Sequence, residues 1–271
     1  MSEKQLSSTA QFHFFKQFHQ LSGHHLEHYK DIETRLLAYL QRSEQQSLDA
    51  LIECMSQEPE QIKLFLDFLT INTSEFFRNP ERFQELKLKI MPLLFSRKKK
   101  LRIWSAGCAN GAEPFSLSIL LSNIQKLEYC QIIGSDLDQF ALQAARSAEY
   151  PVEQLKNVSL ADLNYYFDLA SVQPRRYRLK SDWQKQVLFQ HHDLLSPKYP
   201  QSFDLITCRN VMIYFNRDTK YQVYRKFYEA LNDYGVLFIG GAEQLFDIQG
   251  LGYKPISPYF LQKLPAKLCV N

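Results

Sequence analysis

The sequence has no CxxC pair, and its cysteines are few and scattered. Five occur in 271 residues, at positions 54, 108, 130, 208 and 269. A disulfide framework or a zinc ribbon needs paired, closely spaced cysteines, so this pattern excludes both. Because the chain also shows no signal-peptide pattern, we expect reduced thiols and a cytoplasmic location.

Long hydrophobic runs are absent too. No apolar stretch approaches the ~20 residues that a membrane-spanning helix needs, so we expect no direct membrane insertion, and any membrane contact should come through a partner. The net charge is only +3, and the basic run at 97–100 (RKKK) is not continued by a longer basic stripe. These features predict no nucleic-acid partner.

The histidines do not predict a metal site. His24, His25 and His28 place two imidazoles one helical turn apart, but we find no acid or cysteine motif that completes a ligand set. We therefore expect no bound metal and read these residues as a solvent-exposed helix start.

What the chain does contain is a change of pattern near residue 100. Up to about residue 89, apolar residues recur at spacings of three and four, which predicts an all-α N-terminal domain over 1–89. From residue 101, short apolar runs alternate with helical patterns and end in a hairpin-like pair. This predicts an α/β domain over 90–271 with a mostly parallel sheet, and a small inserted β-subdomain at about 155–188, in which 177–179 reads as a short strand.

The turn at 105–111 (SAGCANG) is the strongest functional signal from residue types alone. It follows an apolar strand, contains nothing larger than Cys or Asn, and precedes a helix that begins with Glu113 and Pro114. Backbone can therefore approach a ligand closely here. A turn that only packs remains the alternative.

Polar residues also close the later strands, where ligands of open α/β sheets bind. The predicted strand ends are Gly107, Asp136, Asp193 and Arg209–Asn210. Asp136 is placed to accept both hydroxyls of a ribose, whereas Asp138 is predicted to cap the next helix. The spacing from Gly107 exceeds the ~20 residues of the nicotinamide fingerprint, and GxGxxG is missing. A mononucleoside cofactor such as S-adenosylmethionine is favoured over NAD.

Four sequence blocks resemble one family, the chemotaxis receptor glutamate O-methyltransferases of the CheR type. They are LTINTSEFFRNPERF at 69–83, RIWSAGCANGAEPFSLS at 102–118, FDLITCRNVMIYFNRDTK at 203–220 and GVLFIGGAEQL at 235–245. The resemblance extends over nearly the whole chain. It implies a Rossmann-like class I S-adenosylmethionine methyltransferase sheet with an all-α N-terminal domain and a small inserted β-subdomain.

The resemblance also implies an activity, the methylation of glutamate side chains on the cytoplasmic helices of chemoreceptors, with S-adenosylhomocysteine as the second product. Arg78 and Tyr214 are the implied catalytic residues, Arg78 orienting a carboxylate and Tyr214 lining the substrate entrance. The residues implied to bind the cofactor are Asn72, Ser74, Arg78, Gly107, Glu113, Asp136, Asp193, Leu194, Arg209 and Asn210.

Three positions depart from the family pattern. Ala112 stands where the family usually has Glu, Asp193 where it has Asn, and GGAE at 240–243 where it has GHSE. An inactive homologue that binds S-adenosylmethionine or a receptor is therefore the alternative reading. An RNA or small-molecule methyltransferase predicts a broad basic face or a closed apolar pocket, and neither is evident.

Some family members hold a receptor's C-terminal pentapeptide along the edge of the inserted β-subdomain. This chain has no glycine between Tyr150 and Leu195, and its corresponding segment, read as a loop at 168–178, carries Pro174 and two Arg that restrict close backbone approach. We therefore expect docking that is independent of the pentapeptide. The N-terminal helices should make it, with Lys30, Arg35 and Arg42 facing acidic receptor helices.

Overall fold

The chain forms two compact units in the computed structural model. The first comprises Met1–Asn72 with Ile213–Thr219, and the second comprises Thr73–Met212 with Lys220–Asn271. The structure describes residues 8–43, 45, 47–69, 74–241, 243 and 250–265. The division falls before residue 89, the expected boundary, because Phe83, Leu86 and Ile90 are buried in the same apolar core as the sheet. The segment 213–219 belongs to the first unit although it is far from 1–72 in sequence.

The first unit is helical in its described residues, as its periodicity predicts. Its helices are α1 (Ser8–Ser22), α2 (Ile32–Arg42), α3 (Leu48–Gln57) and α4 (Pro59–Leu69), with a 3-10 turn at Leu26–His28. Aromatic side chains hold them together, since the rings of Phe14 and Phe18 both pack edge-on against Phe65. Ser47 starts α3 by accepting a hydrogen bond from the Ala50 amide at 3.1 Å.

The second unit is an α/β domain. Its helices are α5 (Pro80–Glu85), α6 (Met91–Phe95), α7 (Ala112–Asn123), α8 (Gln139–Ser147), α9 (Leu160–Tyr166), α10 (Ser181–Gln184) and α11 (Arg217–Ala230), the last starting within 213–219. Its strands are β1 (Leu101–Ala106), β2 (Cys130–Asp136), β3 (Glu149–Pro151), β4 (Phe167–Val172), β5 (Arg175–Leu179), β6 (Val187–His191), β7 (Phe203–Cys208), β8 (Leu231–Ile239), β9 (Tyr253–Ser257) and β10 (Phe260–Lys263).

Seven strands make the main sheet in the order β6-β2-β1-β7-β8-β10-β9. The strands from β6 to β8 run parallel, β10 is antiparallel to β8, and β9 is antiparallel to β10. This confirms the predicted mostly parallel sheet and its terminal hairpin. Every residue of β7 is buried, because helices cover both faces of a parallel sheet. No helix in the described parts is long and apolar enough to cross a membrane.

The inserted β-subdomain is a three-stranded antiparallel sheet in the order β3-β5-β4. It begins at Glu149, earlier than the expected start near 155, because β3 pairs with β5. The segment 168–178 is not a loop, since β4 and β5 form a hairpin there, and the short strand predicted at 177–179 is the end of β5. Exposed charges concealed the rest of β5, in which only Tyr177 and Leu179 are buried.

Candidate functional site

The strand order of the main sheet reverses between β1 and β7. From β1 the chain builds outward through β2 and β6 on one side, and from β7 to β8 on the other. Loops that leave a sheet in opposite directions at such a point open a crevice beyond the carboxyl ends of the strands, where ligands bind. The segments at that edge are the turn 107–111 and Arg209–Asn210, both of which the sequence predicted.

The turn after β1 is held tightly against its neighbours. Gly107 has φ +72°, and a Cβ on it would lie 2.4 Å from Cγ2 of Val211, so only glycine fits. The amides of Gly107 and Cys108 both donate to the Ser135 carbonyl, at 2.8 and 2.9 Å. Ala109 also has a positive φ, +46°. Such backbone strain clusters at ligand-binding loops, and here the fold maintains it.

Asp136 ends β2 beside this turn. Its carboxylate accepts hydrogen bonds from the amides of Ala109 (2.8 Å) and Asp138 (3.0 Å), while the residue stays partly exposed. Burial raises the pKa of Asp136 above its ordinary value, although the backbone N–H donors oppose the shift. The predicted cap is confirmed, because the Asp138 side chain accepts from the amides of Phe140 and Ala141 at the start of α8.

Glu113 belongs to a buried polar cluster at the start of α7. Its Oε1 accepts hydrogen bonds from the hydroxyls of Ser105 at 2.8 Å and Thr207 at 2.5 Å, and its Oε2 lies 3.3 Å from Nη1 of Arg209. The Glu113 side chain is 17% exposed, against 3% for Arg209. These contacts join the ends of β1 and β7, and they leave the Glu113 carboxylate as the accessible member of the ion pair.

Arg209, which the resemblance implies as a cofactor-binding residue, contacts the segment before α5. Its Nη2 donates to the carbonyl of Arg78 (2.7 Å) and to Oδ1 of Asn79 (2.9 Å), and its guanidinium lies 4.6 Å from the ring centroid of Phe238. Burial lowers the pKa of Arg209, and the paired carboxylate opposes that shift. The structure thus gives Arg209 a positioning contact with 78–79, whereas Asn210, with φ +62°, turns the chain after β7.

The segment before α5 carries three of the predicted residues. Ser74 and Arg78 are half-buried, whereas Asn72 lies outside the described residues. Phe77 anchors the segment to α7, because its amide donates to Oγ of Ser116 at 2.9 Å, and it has a positive φ of +51°. The backbone around Arg78 is therefore fixed from two sides, by α7 and by the guanidinium at the end of β7.

The loop after β6 brings Asp193 towards Asp136. The amide of His192 donates to the Asp136 carbonyl at 3.0 Å, and Oδ1 of Asp193 accepts from the amide of Leu195 at 2.8 Å. Leu194 is buried. The structure thus brings together the ends of β2 and β6, as the sequence predicted. The Asp193 side chain stabilises the turn in the loop after β6.

Glu243, after β8, is a residue that the sequence analysis missed. Only 2% exposed, it accepts hydrogen bonds from the amides of Val211 (2.7 Å), Met212 (2.9 Å) and Gly240 (2.6 Å). Burial raises the pKa of Glu243, and the three N–H donors oppose the shift. The sequence did offer a signal for this residue, because an acid follows an apolar strand and a turn of small residues at 240–243. The carboxylate holds the loop after β7 in place.

Tyr214 lies in the segment 213–219 of the first unit. Its carbonyl accepts from the amide of Lys30 at 2.7 Å, its ring centroid is 6.5 Å from that of Tyr29, and the Arg35 guanidinium lies 5.9 Å away over the ring. Arg35 also donates to the Leu69 carbonyl. The predicted receptor-facing Arg35 is therefore engaged inside its own unit.

Comparison with known proteins identifies the family. Residues 72–255, more than half of the chain, match the family described as CheR methyltransferase, SAM binding domain. The chain belongs to the CheR methyltransferase family. It is an enzyme, and S-adenosylmethionine is its cofactor.

Two curated relatives share most of their length with this CheR family member. The chemotaxis protein methyltransferase of Listeria monocytogenes serovar 1/2a is 33% identical over 233 residues, which cover 86% of this chain and 88% of the relative. Chemotaxis protein methyltransferase 2 of Vibrio cholerae serotype O1 is 30% identical over 263 residues, covering 93% and 91%. Among solved structures, magnesium protoporphyrin IX methyltransferase from Synechocystis PCC 6803 with bound SAH has a TM-score of 0.33 and 16% identity, covering 58% of this chain and 54% of that one.

Proposed function

We propose that this CheR family enzyme transfers the methyl group of S-adenosylmethionine to glutamate side-chain carboxylates of methyl-accepting chemotaxis receptors, giving glutamate methyl esters. The observation that carries the proposal is Asp136, a half-buried residue that ends β2 beside the strained turn 107–111 within the family match. The substrate helices are cytoplasmic, so the proposed site of action is the cytoplasm.

The strand ends suit the nucleoside part of the cofactor. A carboxylate has about four acceptor sites, and the two amide donors on Asp136 leave capacity for the two ribose hydroxyls. The glycine at 107 lets the backbone approach the ligand, and Asp193, Leu194 and Asn210 are the residues that would hold the base. Oδ2 of Asp193 suits an adenine amino group as an acceptor.

The methionine part lies nearer to Glu113 in this proposal. Its carboxylate is the exposed partner of a buried ion pair, so it can accept from the ammonium group. Ser74 contributes from the segment before α5, and the cofactor role of Asn72 rests on the family resemblance alone. Arg209 acts on the cofactor indirectly, because it holds the carbonyl of Arg78 and the side chain of Asn79.

The chemistry requires orientation rather than a general base. When bound, S-adenosylmethionine would supply a methyl group attached to a positively charged sulfur, and this sulfur becomes a neutral thioether when the methyl group is transferred. The glutamate carboxylate is already an anion, so no proton moves when its oxygen bonds to the methyl carbon. Arg78 orients that carboxylate through its planar fork and leaves one oxygen lone pair to react. The family resemblance is what assigns the substrate entrance to Tyr214.

The departures from the family pattern do not remove this machinery. Gly241 is exposed, and a Cβ there would meet only the Tyr259 ring, at 3.4 Å, so the position is open to a side chain but is not needed for packing. The three amide bonds to Glu243 form without one. These contacts favour the active enzyme over the inactive homologue.

The direct test is a methylation assay with tritiated cofactor and receptor-containing membranes. We expect base-labile methyl esters with the wild-type chain, loss of them with Arg78→Ala, and poor rescue with Arg78→Lys, since an ammonium lacks the fork. Arg225→Ala is the matched control, because Arg225 is exposed on α11 and pairs only along its helix. Full ester formation with Arg78→Ala would disprove the proposed role of Arg78 in orienting the substrate carboxylate. If the wild-type chain forms no ester, the inactive homologue is favoured.

Receptor docking is proposed to use the N-terminal helices and not a C-terminal pentapeptide. Both edges of the inserted sheet are poor templates for an added strand: β3 has three residues and ends in Pro151, and β4 has an irregularity between Leu169 and Ser171. Lys30 is 63% exposed and Arg42 is exposed, so they replace Arg35 as contacts for acidic receptor helices.

This docking mode predicts weak, salt-sensitive contacts, because exposed ion pairs contribute only about 0–1 kcal/mol each. The methylation rate of a receptor should therefore survive deletion of its C-terminal tail and fall as salt rises. A large loss of rate on tail deletion with little dependence on salt would contradict the proposal.

A further inference from the structure

Two histidines and one acid converge in the 3-10 turn after α1. The ligand atoms of His25, Glu27 and His28 all lie within 4.8 Å of one another, and Nδ1 of His25 is 3.0 Å from Oε1 of Glu27. The side chains of His25 and Glu27 are 32% and 47% exposed, so an ion has access from solvent. The sequence analysis missed Glu27 as the acid of this set.

His24, which the sequence analysis grouped with His25 and His28, lies outside the cluster. It is buried, and its Nδ1 lies 3.2 Å from the Tyr29 hydroxyl. His19 lies beside the cluster instead, with its ring stacked on that of His25 at a centroid distance of 3.8 Å. Nδ1 of His19 is buried without a hydrogen-bond partner among the described residues. Such a nitrogen is expected to find a proton donor, a water or a metal-bound ligand.

A hydrogen bond from outside the turn orients one of the imidazoles. Nδ1 of His28 lies 3.0 Å from Oγ1 of Thr219, which is 4% exposed. Metal-binding histidines use one ring nitrogen for the ion and the other for a partner of this kind, which sets the tautomer and the ring plane. Nε2 of His28 is therefore the nitrogen available to an ion.

We propose that His25, Glu27 and His28 form a divalent metal site, with Zn²⁺ as its ion. Two imidazole nitrogens and one carboxylate oxygen are a donor set that Zn²⁺ accepts, with water in the fourth position. Ligands at about 2.0–2.2 Å from a tetrahedral Zn²⁺ lie roughly 3.3 Å apart. The His25 and Glu27 atoms, 3.0 Å apart, are slightly closer than this, and the other ligand atoms lie within 4.8 Å, so small side-chain rotations would bring all three to bonding distance.

The site would fasten two parts of the first unit that are far apart in sequence. The amide of Asn216 donates to the carbonyl of His28 at 3.0 Å, and the amide of Lys30 donates to the carbonyl of Tyr214 at 2.7 Å. A bound ion would fix one side of the His28 ring, and the hydroxyl of Thr219 contacts the other side. Together they would stabilise the contacts between 28–30 and 214–219.

The test uses untagged, metal-free full-length chain and Zn²⁺ alone, measured by calorimetry and by competition with a chromophoric zinc indicator. We expect one Zn²⁺ per chain, and at least tenfold weaker binding for His25→Ala, Glu27→Gln and His28→Ala. Thr219→Val keeps all three ligands but removes the orienting hydroxyl, so it should weaken binding about 10–100-fold. His13→Ala, at an exposed histidine of α1, should bind like wild type.

Two further measurements separate a built site from adventitious binding. Co²⁺ in place of zinc should give the visible absorption of a four-coordinate ion, and Zn²⁺ should slow hydrogen exchange of the Lys30 and Asn216 amides. Circular dichroism of the metal-free variants shows that they are folded. Absence of binding, binding that survives the three ligand variants, or Zn²⁺ binding with unchanged exchange at both amides would overturn the proposal.

Discussion

Asp136 and Glu243 are two acids with the same local setting and different accessibility. Each follows a buried strand of the same sheet, accepts backbone amide hydrogen bonds, and has its pKa raised by burial. Asp136 accepts two such bonds and stays partly exposed, whereas Glu243 accepts three and is 2% exposed. We therefore expect a ligand at Asp136, the strand-end acid that is the less buried of the two. The buried acid, Glu243, instead fixes the loop after β7 through its hydrogen bonds to the amides of Val211 and Met212.

The comparison predicts the largest effect on stability at Glu243. Glu243→Ala leaves three buried amides without an acceptor, and each unsatisfied donor costs about 1–3 kcal/mol, so the free energy of unfolding should fall by roughly 3 kcal/mol or more. Urea unfolding measures this. Glu243→Gln, which keeps one acceptor oxygen, should lose less. A loss below about 1 kcal/mol with collapsed cofactor binding would mean that Glu243 contacts the ligand.

The next effect should fall on ligand affinity. Asp136→Ala removes the proposed acceptor of the ribose hydroxyls, so binding of S-adenosylhomocysteine should weaken roughly ten- to a hundredfold, or about 1.5–3 kcal/mol. Calorimetry on folded protein is the check, and the loss of stability should be smaller than at Glu243. Unchanged affinity would remove Asp136 from the site and erase the distinction between the two acids.

The raised pKa of Asp136 predicts a pH dependence with two opposite signs. The ionised carboxylate accepts the ribose hydroxyls, so affinity should rise with pH through the raised pKa, by up to about tenfold per unit, or about 1.4 kcal/mol. A raised carboxyl pKa contributes to stability of the free protein at pH values below the unfolded pKa, and this contribution is lost as pH rises through the folded pKa. Asp136→Asn should flatten the affinity profile; an unaltered slope would assign the titration to another group.

The smallest effect is expected at Asp138, two residues further on. This side chain caps α8 and has no proposed ligand role, so Asp138→Ala should cost about 1 kcal/mol of stability and leave affinity for S-adenosylhomocysteine unchanged. Thermal unfolding and calorimetry on one preparation measure both. A tenfold loss of affinity would show that the helix start itself shapes the ligand site.

Short-range sequence patterns were enough to predict most of the fold. The apolar runs of β1 and β7 and the small residues of 105–111 are local signals, because pleat periodicity and turn conformation depend on neighbours in sequence. They sufficed to place Gly107 and Asp136 at one edge of a parallel sheet and to predict the cap at Asp138. In the hairpin β4–β5 only 177–179 was predicted as a strand, because exposed charges hid the alternation in the rest of β5.

What the sequence by itself determined is the alternation of elements, the strand-end residues and the family, since these follow from local spacing and ordered motifs. Only the tertiary structure decided which polar side chain meets which partner. The guanidinium of Arg209 donates to the carbonyl of Arg78, Glu243 accepts from backbone amides, and His28 contacts Thr219, which is 191 positions away in sequence. Contacts at such separations depend on how buried surfaces pack, and no local periodicity encodes that.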